Sequence, residues 1–153
     1  MNRIAELLPP SNVAVGVDAA NKRDLFASVA GLYEASGGVA RSTVVDALSA
    51  REKLGSTGLG QGIAIPHGRI KGLRDARGAF VRLAQPIPFD APDGRPVNQV
   101  FVLLVPEQAT EQHLELLSEL AQMFSERSFR ERLAVAPDAA ATWSAIRDWA
   151  PVA

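Results

Sequence analysis

The sequence predicts a layered α/β domain. Val100-Phe101-Val102-Leu103-Leu104-Val105 is continuously apolar, the pattern of a strand covered on both faces. Around it, runs with helical spacing alternate with short strand-like runs. The chain has 153 residues, the size of one domain spanning residues 1–153. Such a domain buries roughly 70% of the surface its unfolded chain would expose, so it needs no covalent staple.

The elements follow in order. Ile4 to Leu8 reads as one helical turn, stopped by Pro9-Pro10. Val13–Val17 reads as a short strand. Asn21 and Asp24 have the spacing of a capping pair. The helix they open carries Leu25, Phe26, Val29, Leu32 and Tyr33 on one face and stops at Gly37-Gly38. A second helix is expected from about Ser42 to Leu54, with Val44, Val45 and Leu48 as its stripe and Gly55 as its end. An apolar strand then runs to Ile65, where Pro66 restricts it to an edge or a terminus. Ala79–Leu83 is a further strand. Pro86, Pro88, Pro92 and Pro96, with Asp93-Gly94, mark a stiff loop. Val100–Val105 follows, ended by Pro106. Thr110 is placed to cap a helix with Leu114, Leu117, Ala121 and Phe124 on its core face. Two short helices, near Ser128–Ala134 and Asp138–Trp149, close the chain.

Composition excludes several classes. There are no cysteines, so disulfides, thiolate zinc sites and cysteine nucleophiles are out. The net charge of −1 argues against a duplex nucleic-acid binder. No apolar run approaches a membrane span, and the first residues lack a signal-peptide core. A soluble cytoplasmic protein is expected.

Chemistry concentrates in Gly58-Leu59-Gly60-Gln61-Gly62-Ile63-Ala64-Ile65-Pro66-His67-Gly68. The order helix, glycines, strand reverses that of a dinucleotide fingerprint, and no P-loop lysine follows. The glycines either shape a turn or leave room beside His67 for a phosphoryl group and a partner protein. His67 lies between Pro66 and Gly68, neither of which covers its ring. A neutral imidazole is a good nucleophile near pH 7 without a special base. His113, the other histidine, falls in the first turn of its helix, where the dipole favours the neutral ring; an exposed surface histidine is the plainer reading. Arg51 is either a helix-end cation or, on the apolar row of Val44 and Leu48, a guanidinium fork for phosphoryl oxygens. Asp90 or Asp93 would have to complete any metal triad, and no spacing supports one. Ser56 lacks a nucleophile-elbow frame.

The continuous stretch Arg51–Gly68 resembles the active-site signature of the enzyme IIA proteins of the bacterial phosphotransferase system, in the mannitol, fructose and nitrogen-related class. The resemblance continues through Pro86-Ile87-Pro88-Phe89-Asp90, Pro96-Val97, Leu103–Pro106 and His113-Leu114. It implies a mixed β-sheet flanked by helices on both faces. It implies that His67 accepts a phosphoryl group, as a tele-phosphohistidine candidate, from an HPr-like phosphocarrier. By the same matching, His113 supplies a hydrogen bond to that group and Arg51 stabilises its charge. No cofactor and no metal are implied. His67-Gly68-Arg69 in a chain without fused domains resembles the nitrogen-regulatory branch, whose phosphorylation state would control target proteins. The alternative is a sugar-specific IIA passing phosphate to a separate IIB domain.

Overall fold

The computed structural model describes residues 2–108 and 111–151. Helix α1 (Arg3–Glu6) is capped by Asn2, whose side chain accepts the Ala5 N–H at 2.8 Å. A 3₁₀ turn (Pro10–Asn12) leads into strand β1 (Val13–Val17). Helix α2 (Lys22–Gly37) opens as expected, with the Asn21 side chain on the Asp24 N–H at 2.9 Å and Asp24 on the Ala20 N–H at 3.2 Å. It closes on Gly38, which is left-handed at φ 71°. Helix α3 (Arg41–Glu52) begins one residue before the expected start. Strands β2 (Gly58–Gly60), β3 (Ile63–Ala64), β4 (His67–Ile70), β5 (Arg77–Ile87) and β6 (Val97–Pro106) follow, then α4 (Glu111–Ser125), α5 (Arg127–Val135) and α6 (Ala139–Arg147). The expected cap Thr110 lies outside the described residues.

The strands form one mixed sheet of order β1-β5-β6-β3-β2, with β4 also on β6. Strand β6 is antiparallel to β5, pairing Phe80 with Phe101, and parallel to β3 and β4. Its side chains feed two cores. Val100, Val102 and Leu104 pack under α2 and α3; Phe101, Leu103 and Val105 pack under α1 and α4–α6. This is why the run carries no polar alternation. Near-total burial of both faces makes β6 the rigid rail on which β4 sits.

Four expectations change here. The apolar segment to Ile65 is two short strands joined by a turn, with Gly60, Gln61 and Gly62 all at positive φ. Pro66 falls in the gap between β3 and β4, where its missing N–H breaks no ladder, and His67 opens a strand rather than following one. Strand β5 runs past Leu83 through Pro86, tolerated because the register shifts between Arg82 and Ile87. On α4 the buried row is His113, Leu116, Leu120, Met123 and Phe124, whereas Leu114 is 68% exposed and Ala121 is exposed. The core face is therefore rotated by one residue from the expected stripe.

Candidate functional site

His67 and Gly68 are neighbours on β4 and so point to opposite faces. Gly68 turns toward α3. A Cβ there would lie 3.0 Å from Ala47 Cβ and 3.1 Å from the Ala47 carbonyl carbon. The absence of a side chain lets helix and strand touch, and Arg51 stands one helical turn beyond Ala47. Gly68 is thus buried packing, not the open backbone for a partner that the sequence suggested. Gly58 is likewise packed, its missing Cβ 2.9 Å from Ala91 Cβ. Gly68→Ala is expected to cost about 1–3 kcal/mol in denaturant unfolding, because backbone rather than a flexible side chain must retreat. An unchanged midpoint would show that α3 can shift freely.

The three predicted residues converge. Arg51 Nε donates to His67 Nε2 at 3.2 Å, and Arg51 Nη1 donates to the Gly55 carbonyl at 2.9 Å. The His67 and His113 rings meet edge to face, with centroids 5.1 Å apart and planes at 70°. His67 Nδ1 lies 2.9 Å from the Ile65 carbonyl, an acceptor only, so Nδ1 carries the hydrogen and Nε2 keeps its lone pair. His113 is only 9% exposed, against the plainer reading of a surface histidine, and its Nε2 is buried without a partner among the described residues. A buried unpaired polar nitrogen is costly unless something binds it. A groove of about 340 Å³ opens beside the His67 ring, lined by Arg51, Thr57, Gly58, Leu59 and Leu117.

A half-buried imidazole, a tethered guanidinium and an unpartnered second imidazole suit a tetrahedral anion better than any neutral ligand. The family model of the phosphoenolpyruvate-dependent sugar phosphotransferase system, EIIA 2, matches residues 6–149. The chain belongs to this EIIA family. Within the family it is similar to the nitrogen regulatory protein of Pseudomonas aeruginosa, 43% identical over 155 residues and 97% of each chain. It is also similar to the crystal structure of nitrogen regulatory protein IIA-Ntr from Neisseria meningitidis. That match has a TM-score of 0.89 and 47% identity, and covers 95% of this chain and 99% of that one. The mixed sheet with helices on both faces is the mannitol-type fold. The complex of enzyme IIAMTL with phosphorylated enzyme IIBMTL from Escherichia coli matches at TM-score 0.76, with 21% identity over 94% of this chain and 100% of that one.

Leu54 and Leu59, left open between core and surface by sequence, are exposed at 84% and 45%, and Leu59 lines the groove beside His67. The other residues that the sequence singled out have partners of their own. Asp93 is taken up by the Gln61 N–H at 2.9 Å and the Arg95 N–H at 3.1 Å, and these bonds hold its carboxyl below the usual range. Asp90 pairs with Lys22 at 3.4 Å. Among the described residues no three His, Asp or Glu side chains converge as a metal set, and no helix is long and apolar enough to cross a membrane. Ser56 donates to the Phe89 carbonyl, 2.5 Å away, and accepts the Gly58 N–H, so it braces the loop.

Sequence reasoning missed Glu52. This last residue of α3 has a side chain only 6% exposed and binds Lys22 and Thr57. Its neighbour Arg51 drew attention because it shares the apolar row. Glu52 carries no signal of its own at a helix end, and its partners on α2 and the loop are invisible to local spacing.

Both rings are biased toward neutrality. Burial pushes His67 below the ordinary imidazole value; the Ile65 carbonyl opposes this and the Arg51 guanidinium adds to it. Burial also lowers His113, helped by the charges of His67, Arg69 and Arg51. The unfolded chain takes up these protons near pH ~6.5, before the folded one does. The stabilisation is therefore complete above that pH and declines as pH falls through it toward the folded-state values. In an NMR titration of the folded protein both histidine midpoints should lie below about 6.5. A midpoint above that value for His67 would contradict the burial argument.

Proposed function

We propose that this chain is a phosphocarrier of the nitrogen-regulatory enzyme IIA type, in which His67 Nε2 takes a phosphoryl group from a phosphohistidine of an HPr-like carrier. The observation that carries this reading is the 2.9 Å contact between His67 Nδ1 and the Ile65 carbonyl. It supports the Nδ1–H tautomer, which leaves Nε2, the nitrogen facing Arg51, free to act as the nucleophile.

The Nε2–P bond forms as the donor's N–P bond breaks, and the electron pair returns to the donor nitrogen. No proton has to move, because His67 Nδ1 keeps its hydrogen on Ile65. In the resting state Arg51 Nε–H occupies the Nε2 lone pair. Docking of the donor exchanges that bond: the guanidinium turns from the nitrogen to the equatorial oxygens, where negative charge is spread in the transition state. His113 Nε2–H donates to another oxygen and so gains the partner it lacks at rest. Catalysis is positioning and charge stabilisation, with no metal or cofactor required.

The partners in this reading are the carrier on one side and regulated proteins on the other. Members of the family work with phosphocarrier and IIB partners, and the near-full-length similarity to nitrogen regulatory proteins supports regulation over sugar uptake. Its compartment is the cytoplasm, where a phosphoenolpyruvate-charged carrier is available. The test is incubation with such a carrier, followed by intact-mass analysis and challenge with IIB domains. An acid-labile adduct that IIB domains do not discharge is expected. Absence of any adduct would refute the carrier role, and rapid discharge to a sugar-specific IIB domain would move the chain to the transport branch.

A further inference from the structure

Resting on the reading of His67 Nε2 as acceptor, we propose that Glu52 and Thr57 are positioning residues that hold the Ile65 carbonyl against His67 Nδ1 and so keep Nε2 free of a proton. A continuous set of hydrogen bonds links them. Glu52 Oε1 accepts the Thr57 N–H at 3.1 Å, and Glu52 Oε2 accepts the Thr57 hydroxyl at 2.7 Å. Thr57, itself 6% exposed, presents its carbonyl to the Ile65 N–H at 3.0 Å. The Ile65 carbonyl then receives Nδ1–H at 2.9 Å.

The next residue explains why such bracing is needed. Residue 66 is proline, so the peptide unit carrying the Ile65 carbonyl has no N–H of its own. It also lies in the gap between β3 and β4, outside the ladder. What orients it is the bond on either side: Ile65 N–H to Thr57, and the Pro66 carbonyl to the Leu103 N–H at 3.0 Å. The second anchors it to β6, and the first runs to Glu52.

Glu52 is suited to anchor the loop. Three donors converge on its buried carboxylate, the third being Lys22 Nζ at 2.9 Å, itself 4.6 Å over the Phe89 ring. Charge-assisted bonds of this kind are the stronger ones. A buried ion pair is seldom retained for stability alone, since apolar packing would serve as well. Here the carboxylate stands next to Arg51 in sequence. The end of α3 therefore sets both nitrogens of His67: Nε2 directly through Arg51 and Nδ1 indirectly through Glu52 and Thr57.

The experiment reads the tautomer in unphosphorylated, ¹⁵N-labelled protein at pH 8 by long-range ¹H–¹⁵N spectra. Wild type should show His67 as the Nδ1–H form. Thr57→Val keeps the shape and removes the hydroxyl; Glu52→Ala removes the anchor. Both should show the two ring nitrogens averaging toward each other, and phosphoryl acceptance from a charged carrier slowed by about 10- to 100-fold. Thr57→Ser should restore both. If Glu52→Ala does not fold, the Thr57→Val and Thr57→Ser pair decides alone. Folded variants with the wild-type tautomer and rate would overturn the proposal. Mapping the phosphoryl group to a residue other than His67 in wild type would overturn the acceptor reading instead, while the tautomer result would still judge the bracing.

Discussion

His67→Ala is expected to abolish phosphoryl acceptance altogether. Among the described residues that line the groove, no other side chain offers an unprotonated nitrogen; Ser56 spends its hydroxyl hydrogen on the Phe89 carbonyl and Thr57 spends its own on the Glu52 carboxylate. The ring is half-buried and its loss leaves the β4–β6 pairing intact, so the variant should fold. Intact-mass analysis after incubation with the charged carrier is the readout. His113→Ala is the instructive partner. It removes one donor and leaves the nucleophile, so acceptance should persist but slow by roughly 10²-fold. If His67→Ala still forms the acid-labile adduct, the acceptor lies elsewhere and the arrangement around Nε2 has another purpose.

Arg51→Lys should slow transfer by about 10²- to 10³-fold, measured in single turnover against the charged carrier. The charge is conserved, so a purely coulombic role would predict little change. What lysine lacks is the planar fork. Arg51 uses one arm to tether itself to the Gly55 carbonyl while another N–H faces Nε2. An ammonium cannot hold the tether, cover the resting lone pair and then grip two phosphoryl oxygens. A wild-type rate would reduce Arg51 to the helix-end cation that its position alone allowed.

Much of this arrangement was legible in the residues, and the failures have physical causes. Elements set by local chemistry were read well. The Asn21–Asp24 cap and the Gly37-Gly38 stop fix α2, and the unbroken apolar run fixes β6. The face of α4 was read one residue out of phase. Leu114, Leu117, Ala121 and Phe124 step by three and four, and so do His113, Leu116, Leu120 and Met123; periodicity cannot separate them. The side-chain sizes favour the second set, since it buries Leu116, Leu120 and Met123 where the first offers Ala121. That rotation brings His113 inward to meet His67.

The glycines misled in a similar way. A glycine beside a histidine reads as open space for a ligand, but Gly68 is filled by Ala47 of α3, a contact distant in sequence. Its contribution is to let Arg51 come close. Glu52 went unread for the same reason, because its meaning resides in Lys22 and Thr57 rather than in its own helix. Arg51 and His67 share one stretch of sequence and His113 joins them from α4, whereas the Gly68–Ala47 and Glu52–Lys22 contacts that support them join separate elements.

The most direct test is to find the atom that carries phosphorus. The ¹⁵N-labelled protein, charged by its carrier and held at alkaline pH, can be read for phosphorus–nitrogen coupling. Coupling to Nε2 of His67, with Nδ1 still protonated, is the predicted result. Phosphorus on Nδ1 would contradict it, because that nitrogen is committed to the Ile65 carbonyl.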